Sequence, residues 1–487
     1  MRGWPNSRFL HAGPLALLAV ALLGLAPAAS SAASSAGASS GAAQPAVSEP
    51  SPQPQAPPAP SDPNVVFIVS DDQRWDTLDA MPNVLSQIAA PGVTFENAFV
   101  SNPLCCPSRV SILTGQTSAT SGVWRNAPPG GGFESFDDST TIATELQGAG
   151  YRTGLFGKYL QGYAPDGTYV PPGWSAWAAR DRAAYFDYTL NVDGVPTAFG
   201  SASQDYSTDV LAGMADGFIR STPSYQPLFL FFSPSAPHLP ATPAPRHDGA
   251  FDGIAKYRPP SFDRIGGGSP PWAEALPPLA WRDRAKFDEL RRDMLETLLA
   301  LDEAVGTIVT ALHDTGRLSE TLLVFTSDNG YLWGEHRREG KSVAYEESIR
   351  VPLVVRYDPA ATAGALDDRF AMNIDLAPTA AAAAGVALPA PDGKSLLPLL
   401  QNPEGPGVRS RVVVEQIPHS SFDVPPYCAI RTRRHSYIRY RNGATELFDL
   451  RRDPHQLRNL TADRAHRSLV RSLVRGTRSA CEHSLRG

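Results

Sequence analysis

Charge is scarce in this sequence: Asp, Glu, Lys and Arg make up 19% of 487 residues, with a formal balance of −6. So mild an acidity gives no electrostatic case for a nucleic-acid partner. No internal repeat is present, and long apolar runs are missing too. The run "PLALLAVALLGLA" near the N-terminus is too short to span a bilayer comfortably. No stable membrane insertion is therefore expected once that segment is removed. Cysteine is rare, four residues in all, yet Cys105 and Cys106 stand side by side. What is plentiful is proline (46) and glycine (40), which point to many loops. With 42% hydrophobic residues, the length suffices for a large core and two or three units.

The first 29 residues read as a signal peptide. Arg2 and Arg8 give a basic start, the apolar run follows, and small-residue cleavage sites lie near Ala28 to Ala33. Residues 30–62, rich in Ala, Ser, Pro and Gln, cannot build a core and are expected to be a disordered linker. The protein is thus expected to be secreted, where disulfides persist. Cys428 and Cys481 become a candidate bridge.

"PNVVFIVSDDQ" (63–73) is apolar on both faces and ends in Asp71 and Asp72. Such a run suits a central parallel strand covered on both sides. "TLLVFTSDNG" (321–330) ends in Asp328 and Asn329, "PLFLFFSPSAPH" (227–238) ends at His238, and "VPLVVRY" (351–357) is a fourth run. Helical patterns lie between them, the longest over 284–316 and closing on Gly316. Strands alternating with helices predict an α/β domain over 63–404 with a mostly parallel central sheet flanked by helices. Ligands gather beyond the carboxyl ends of such strands. After residue 405 short strand-like runs with turns such as Arg441-Asn442-Gly443 predict a small C-terminal antiparallel-sheet subdomain, finished by a helix.

Asp71, Asp72, Asp328 and Asn329 would form an oxygen-rich cluster on that rim. Crowded carboxylates repel, and a hard divalent cation relieves them; all-oxygen ligation favours Ca²⁺ or Mg²⁺ over zinc. The same residue types also serve as helix caps and turn residues. In "LCCPSRVSILTG" (104–115), Pro107 suits a first helical turn. Cys105 would then sit at a helix N-terminus, where backbone dipoles favour an anion, with Arg109 adding positive charge. A metal, a cysteine so placed and basic residues on one rim suggest transfer of an anionic ester group.

At this point the sequence resembles the type I sulfatases of the alkaline-phosphatase superfamily. "CCPSR" with "LTG" matches their Cys-x-Pro-Ser-Arg signature. "SDDQ", "GKYLQGY", "APH", "SDNG", "GK…YEESIRVPL" and "ELFDLRRDPHQLRNL" follow in the family's order. The resemblance implies an alkaline-phosphatase-like fold and oxidation of Cys105 to Cα-formylglycine (3-oxoalanine) by a separate maturation enzyme. Cys106 then fills the variable slot as a packing residue. The implied metal ligands are Asp71, Asp72, the modified Cys105, Asp328 and Asn329, around Ca²⁺ in preference to Mg²⁺. One hydroxyl of the hydrated aldehyde attacks sulfur, and loss of the second hydroxyl's proton expels sulfate. In this scheme Arg109 holds the diol, Lys158 and Lys341 neutralise the sulfate oxygens, and His238 protonates the leaving alcohol.

The substrate implied is a sulfate-ester small molecule or a sulfated glycan. Many arylsulfatase-type members have a histidine where this chain has Leu160, and "GKYL" with "CCPSR" looks closer to the N-acetylglucosamine-6-sulfatase branch. That branch often carries histidines near Ala119 and Leu332, which are absent here. His336, Arg246 and His247 are candidate substrate contacts, or else surface residues. Trp174, Trp177, Tyr185 and Tyr188 either flank a sugar-binding mouth or pack in the core. Two rival functions remain: a phosphomonoester or phosphodiester hydrolase of the same superfamily, and a catalytically silent glycan-binding protein whose Cys105 stays a thiol.

Overall fold

The computed structural model describes residues 62–163, 167–418 and 423–485. The expected signal peptide, and all of the expected linker except Asp62, lie outside the described residues.

The first apolar run forms β1 (Asn64–Ser70), buried along its whole length. Successive side chains of a strand point to opposite faces. Val65, Phe67 and Val69 accordingly join one core, and Val66 and Ile68 the other. Each such side chain contributes about 1.5–3 kcal/mol. The remaining strands are β2 (Val93–Phe99), β3 (Arg152–Lys158), β4 (Ala176–Arg180), β5 (Tyr188–Val192), β6 (Val195–Phe199), β7 (Leu228–Ser233) and β8 (Thr321–Ser327). There follow β9 (Leu332–Trp333), β10 (Glu339–Gly340), β11 (Leu353–Arg356) and β12 (Ala365–Met372). β9 and β10 form a separate ribbon.

The other strands make one ten-stranded sheet ordered β12-β2-β11-β8-β1-β7-β3-β4-β5-β6. Its centre, β8-β1-β7-β3-β4, is parallel. The helices Cys105–Thr114, Ile142–Gly148 and Leu376–Ala384 cover one face. Ser207–Ser221 and the 34-residue helix Trp281–Asp314 cover the other. The expected α/β architecture is present, with two refinements. The run at 351–357 yields β11, which is antiparallel to β8 and β2. β5 and β6 add an antiparallel flap at one edge.

Past residue 405, β13 (Arg411–Gln416), β14 (Tyr427–Thr432), β15 (His435–Tyr440) and β16 (Thr445–Asp449) form a four-stranded antiparallel sheet. The Asn442-Gly443 turn joins β15 to β16, and Gly443 takes φ 89°, a conformation glycine adopts without strain. The helix Arg467–Ala480 covers one face of this sheet. Cys481, just beyond it, is disulfide-bonded to Cys428 on β14, with the Cα atoms 5.9 Å apart.

Candidate active site

Register places the two acidic pairs side by side. β1 and β8 align from Asn64↔Thr321 to Ser70↔Ser327, so the next residues of both strands emerge together on one rim. Asp72 adopts φ 69°, a left-handed conformation that aspartate tolerates better than most residues. There its amide donates to Asp328 Oδ1 at 3.1 Å, and the Asp328 amide donates to Ser70 O at 3.1 Å. Asn329 Nδ2 donates to Asp72 Oδ1 at 2.6 Å. Its Oδ1 is buried without a partner. Asp71, Asp72, Asp328 and Asn329 are all at most 1% exposed.

The helix Cys105–Thr114 brings a thiol to the same point. Cys105 Sγ lies 3.6 Å from Asp71 Oδ1 and accepts from Lys341 Nζ at 2.9 Å. Lys341 also pairs with Asp72, and Lys158, the last residue of β3, pairs with Asp71. Arg109, one turn beyond Cys105, donates from Nε to Asp328 Oδ2 at 2.8 Å and from Nη1 to Lys158 O at 2.9 Å. Its Nη2 stands 3.7 Å from Asp71 Oδ2 with no hydrogen bond of its own. His238 donates from Nδ1 to Leu239 O at 2.7 Å and holds Nε2 at 3.6 Å from Asp72 Oδ2. With its side chain 28% exposed, His238 is the group of this set most open to solvent.

Three carboxylates and three permanent cations share this buried volume. Burial pushes the Asp71 carboxyl upward, yet Lys158, His238, Arg109 and Lys341 together hold it far below the usual range. Asp328 moves the other way, raised by burial and by the charge of Asp71. Burial disfavours charge on His238 as well, but Asp71 and Asp72 outweigh it and lift the imidazole to about 9. Ligand atoms of Asp71, Asp72, Cys105 and His238 all lie within 4.8 Å of one another. Asp328 stands outside that group. The hard oxygen donors here and the orphaned Asn329 Oδ1 fit a cation of the Ca²⁺ or Mg²⁺ class.

Residues 63–386, well over half of the chain, match the sulfatase family model. The chain belongs to the sulfatase family. A second family model, the C-terminal part of N-sulphoglucosamine sulphohydrolase, matches residues 334–480 of this sulfatase. The human N-acetylglucosamine-6-sulfatase is 36% identical over 371 residues, 72% of this chain and 67% of that protein. The Drosophila melanogaster extracellular sulfatase SULF-1 homolog is 33% identical over 74% of this chain, but the matched part spans only 32% of its length. A solved structure in complex with its substrate, D-glucosamine-2-N,6-O-disulfate, has a TM-score of 0.77 at 26% identity, over 87% of this chain and 98% of that one.

Elsewhere in the sulfatase, several candidate contacts are engaged within the protein. His336 is not a surface residue: it is 3% exposed and stacks on Tyr345 at 4.0 Å between centroids. Burial, with Arg338 and His455, drives its pKa down to about 3. Arg246 grips Asp209 and Glu303 and so braces two helices of the far layer, and His247 meets Glu303 at 3.0 Å. Trp174, Trp177, Tyr185 and Tyr188 are at most 9% exposed. They pack in the two cores and form no sugar-binding mouth.

Two neighbours of the rim escaped the sequence reading. Ser233, the last residue of β7, accepts from Arg109 and donates to Lys158 O at 2.9 Å. Arg180, the last residue of β4, is paired in register with Lys158. Burial lowers its pKa to about 10, and its Nε and Nη1 are buried without partners. The signal that exposed Asp71 and Asp328, a polar residue ending an apolar strand, is present at both.

Cys106 faces away from the rim into the apolar core. Its thiol accepts from Gln161 N at 3.0 Å, and burial raises it to about 12, so it stays protonated and inert. Cys106→Ala removes one buried sulfur and strands the Gln161 N–H. A loss of about 1–3 kcal/mol in denaturant unfolding is expected, with turnover changed less than about threefold.

Proposed function

We propose that this sulfatase hydrolyses sulfate monoesters on a sulfated sugar, outside the cell. The observation that carries the reading is the meeting of Cys105, Lys341, Lys158, Arg109 and His238 at the carboxylate rim, within a chain of the sulfatase family. The sugar is supported by the relatives named for N-acetylglucosamine-6-sulfate and by the neighbour bound to a sulfated glucosamine. Export is supported by the disulfide and by relatives named extracellular.

Asp71, Asp72, Asp328 and Asn329 would hold one Ca²⁺, which neutralises charge and makes an oxygen nucleophile available near neutral pH. Oxidised by a maturation enzyme to formylglycine, Cys105 would supply that nucleophile as an aldehyde hydrate. Arg109, anchored by Asp328 and by the Lys158 carbonyl, keeps the end of the helix fixed against the rim. Lys158 and Lys341, which here pair with Asp71 and Asp72, would neutralise sulfate oxygens when the carboxylates are held by a cation instead, an interaction that strengthens as charge redistributes toward the leaving oxygen. The His238 ring is oriented by Leu239 O, which leaves Nε2 to carry a proton to the departing alcohol.

Sulfate and phosphate esters of one alcohol, assayed side by side, test the reading. The expected result is a kcat/KM at least about tenfold higher for the sulfate, or about 1.4 kcal/mol in transition-state stabilisation. Faster phosphate turnover would transfer the protein to the phosphoester hydrolases, whose fold a phosphonate monoester hydrolase of Agrobacterium radiobacter shares at a TM-score of 0.69.

A further inference from the structure

Residues 405–487 carry 16 arginines, no lysine and 7 acidic residues, a net of +9 in a chain whose total is −6. Five of these arginines, Arg464, Arg467, Arg471, Arg475 and Arg478, lie in or just before the helix Arg467–Ala480, and all five are exposed. Among the described residues the side chain of none of them makes an ion pair or hydrogen bond. The helix, RSLVRSLVRGTRSA, holds no acidic residue to balance them.

At about 100° per residue, Arg467, Arg471, Arg475 and Arg478 fall within a sector of about 80°, a stripe about 16 Å long. Like charges four residues apart on a helix repel one another. The stripe therefore lowers stability unless something anionic covers it. The other side of the helix is already docked: Leu469, Val470, Leu473 and Val474 pack against β14–β16 through Ile430, Tyr437 and Leu447. Its end is tied down beside the Cys428–Cys481 disulfide. With its apolar side spent, the helix cannot enter a bilayer interface as an amphipathic anchor.

A straight row of unpaired guanidinium groups suits a linear polyanion. Arginine forks match tetrahedral oxyanions two bonds at a time, better than lysine does. We propose that this stripe docks a linear sulfated polysaccharide outside the catalytic rim, which rests on the sulfated-sugar reading of that rim. The opposite face of the same small sheet packs toward the large one through Tyr427, Ala429 and Ile438. A polymer held on the stripe thus stays on the same body as the rim, and its other sulfated units reach the site at a raised effective concentration.

The test uses the full-length protein and the variant carrying Arg467→Ala, Arg471→Ala, Arg475→Ala and Arg478→Ala. Alanine favours helix at these exposed positions, so the variant folds. Expected is a heparin Kd about 10- to 100-fold weaker, with unchanged kcat/KM on N-acetylglucosamine-6-sulfate and no binding of the wild type to phosphatidylserine vesicles. An unchanged heparin Kd overturns the proposal, and so does vesicle binding by the wild type as tight as its heparin binding. Stripe-dependent heparin binding by a wild type that cannot hydrolyse the monosaccharide sulfate upholds the docking surface and sinks the catalytic reading instead.

Discussion

Cys105→Ala is expected to lower sulfate-ester turnover by at least about 10⁴-fold while the fold stands. Two facts set that contrast. Cys105 opens a ten-residue helix in which every side chain is buried, so its backbone is held by Val110, Ile112 and Leu113 in the core. Its own sulfur meets polar partners, among them Lys341 Nζ and Asp71 Oδ1, so the loss of packing is about 1 kcal/mol or less. What disappears is the atom that Lys341 Nζ contacts and that lies within 4.8 Å of ligand atoms of Asp71, Asp72 and His238. Cys105→Ser separates the chemistry further. Its hydroxyl can attack sulfur and release the alcohol, but with no second hydroxyl to expel sulfate the enzyme stops after one turnover as a stable sulfate ester. Intact-mass spectrometry reads that adduct, and peptide mass spectrometry of the wild type reads the aldehyde. Alanine-variant activity above about 1% of wild type would falsify the assignment of Cys105 as the reacting position.

Much of this was legible in the amino-acid order because the relevant signals are local. β1, β7 and β8 are unbroken apolar runs, and a carboxylate directly after such a run must leave the sheet at its carboxyl edge. That both pairs emerge side by side depends on strand order, which the sequence does not print. It follows from β8 pairing with β1 in full register. The direction of β11 was likewise hidden, because an apolar tetrad reads the same in a parallel and an antiparallel neighbour. The edge flap was marked by Asp193-Gly194 between β5 and β6, a two-residue hairpin signal.

Residues whose surroundings the sequence hid share a cause. "GEHRREGK" has the composition of a solvent loop, yet Tyr345 folds back over His336 and buries it, a contact between residues nine apart that composition cannot reveal. Arg246 and His247 follow a Pro-rich segment that resembles a substrate loop. Their partners Asp209 and Glu303 lie on two helices that only the tertiary fold brings together. Arg180 and Ser233 carry the same strand-end signal as Asp71 and Asp328, but a single arginine or serine there lacks the paired carboxylates that made those ends stand out.

Removing the charge of Asp328 is expected to abolish calcium binding and turnover together. Asp328 is fully buried and uses both oxygens, Oδ1 for the Asp72 amide and Oδ2 for Arg109 Nε. Asp328→Ala would leave the Arg109 guanidinium short of its closest counter-charge, a cost of about 3–5 kcal/mol that confuses ligand loss with misfolding. Asp328→Asn keeps the side-chain shape and an oxygen to accept from Asp72 N, although its NH2 then faces Arg109 Nε and one negative charge is gone. Hard cations are held by charge count and oxygen number, so the calcium Kd should weaken by at least about 100-fold and kcat/KM should fall with it. Thermal unfolding supplies a readout independent of activity. Calcium at about 100 times its Kd is expected to stabilise the wild type by about 2.7 kcal/mol, a gain that a chelator should remove. The Asp328→Asn protein should unfold at one temperature with or without calcium. A variant whose unfolding still responds to calcium as the wild type does would remove Asp328 from the ligand set. Asp71, Asp72 and Cys105, three of the four groups whose ligand atoms lie within 4.8 Å of one another, would then carry the ion without it.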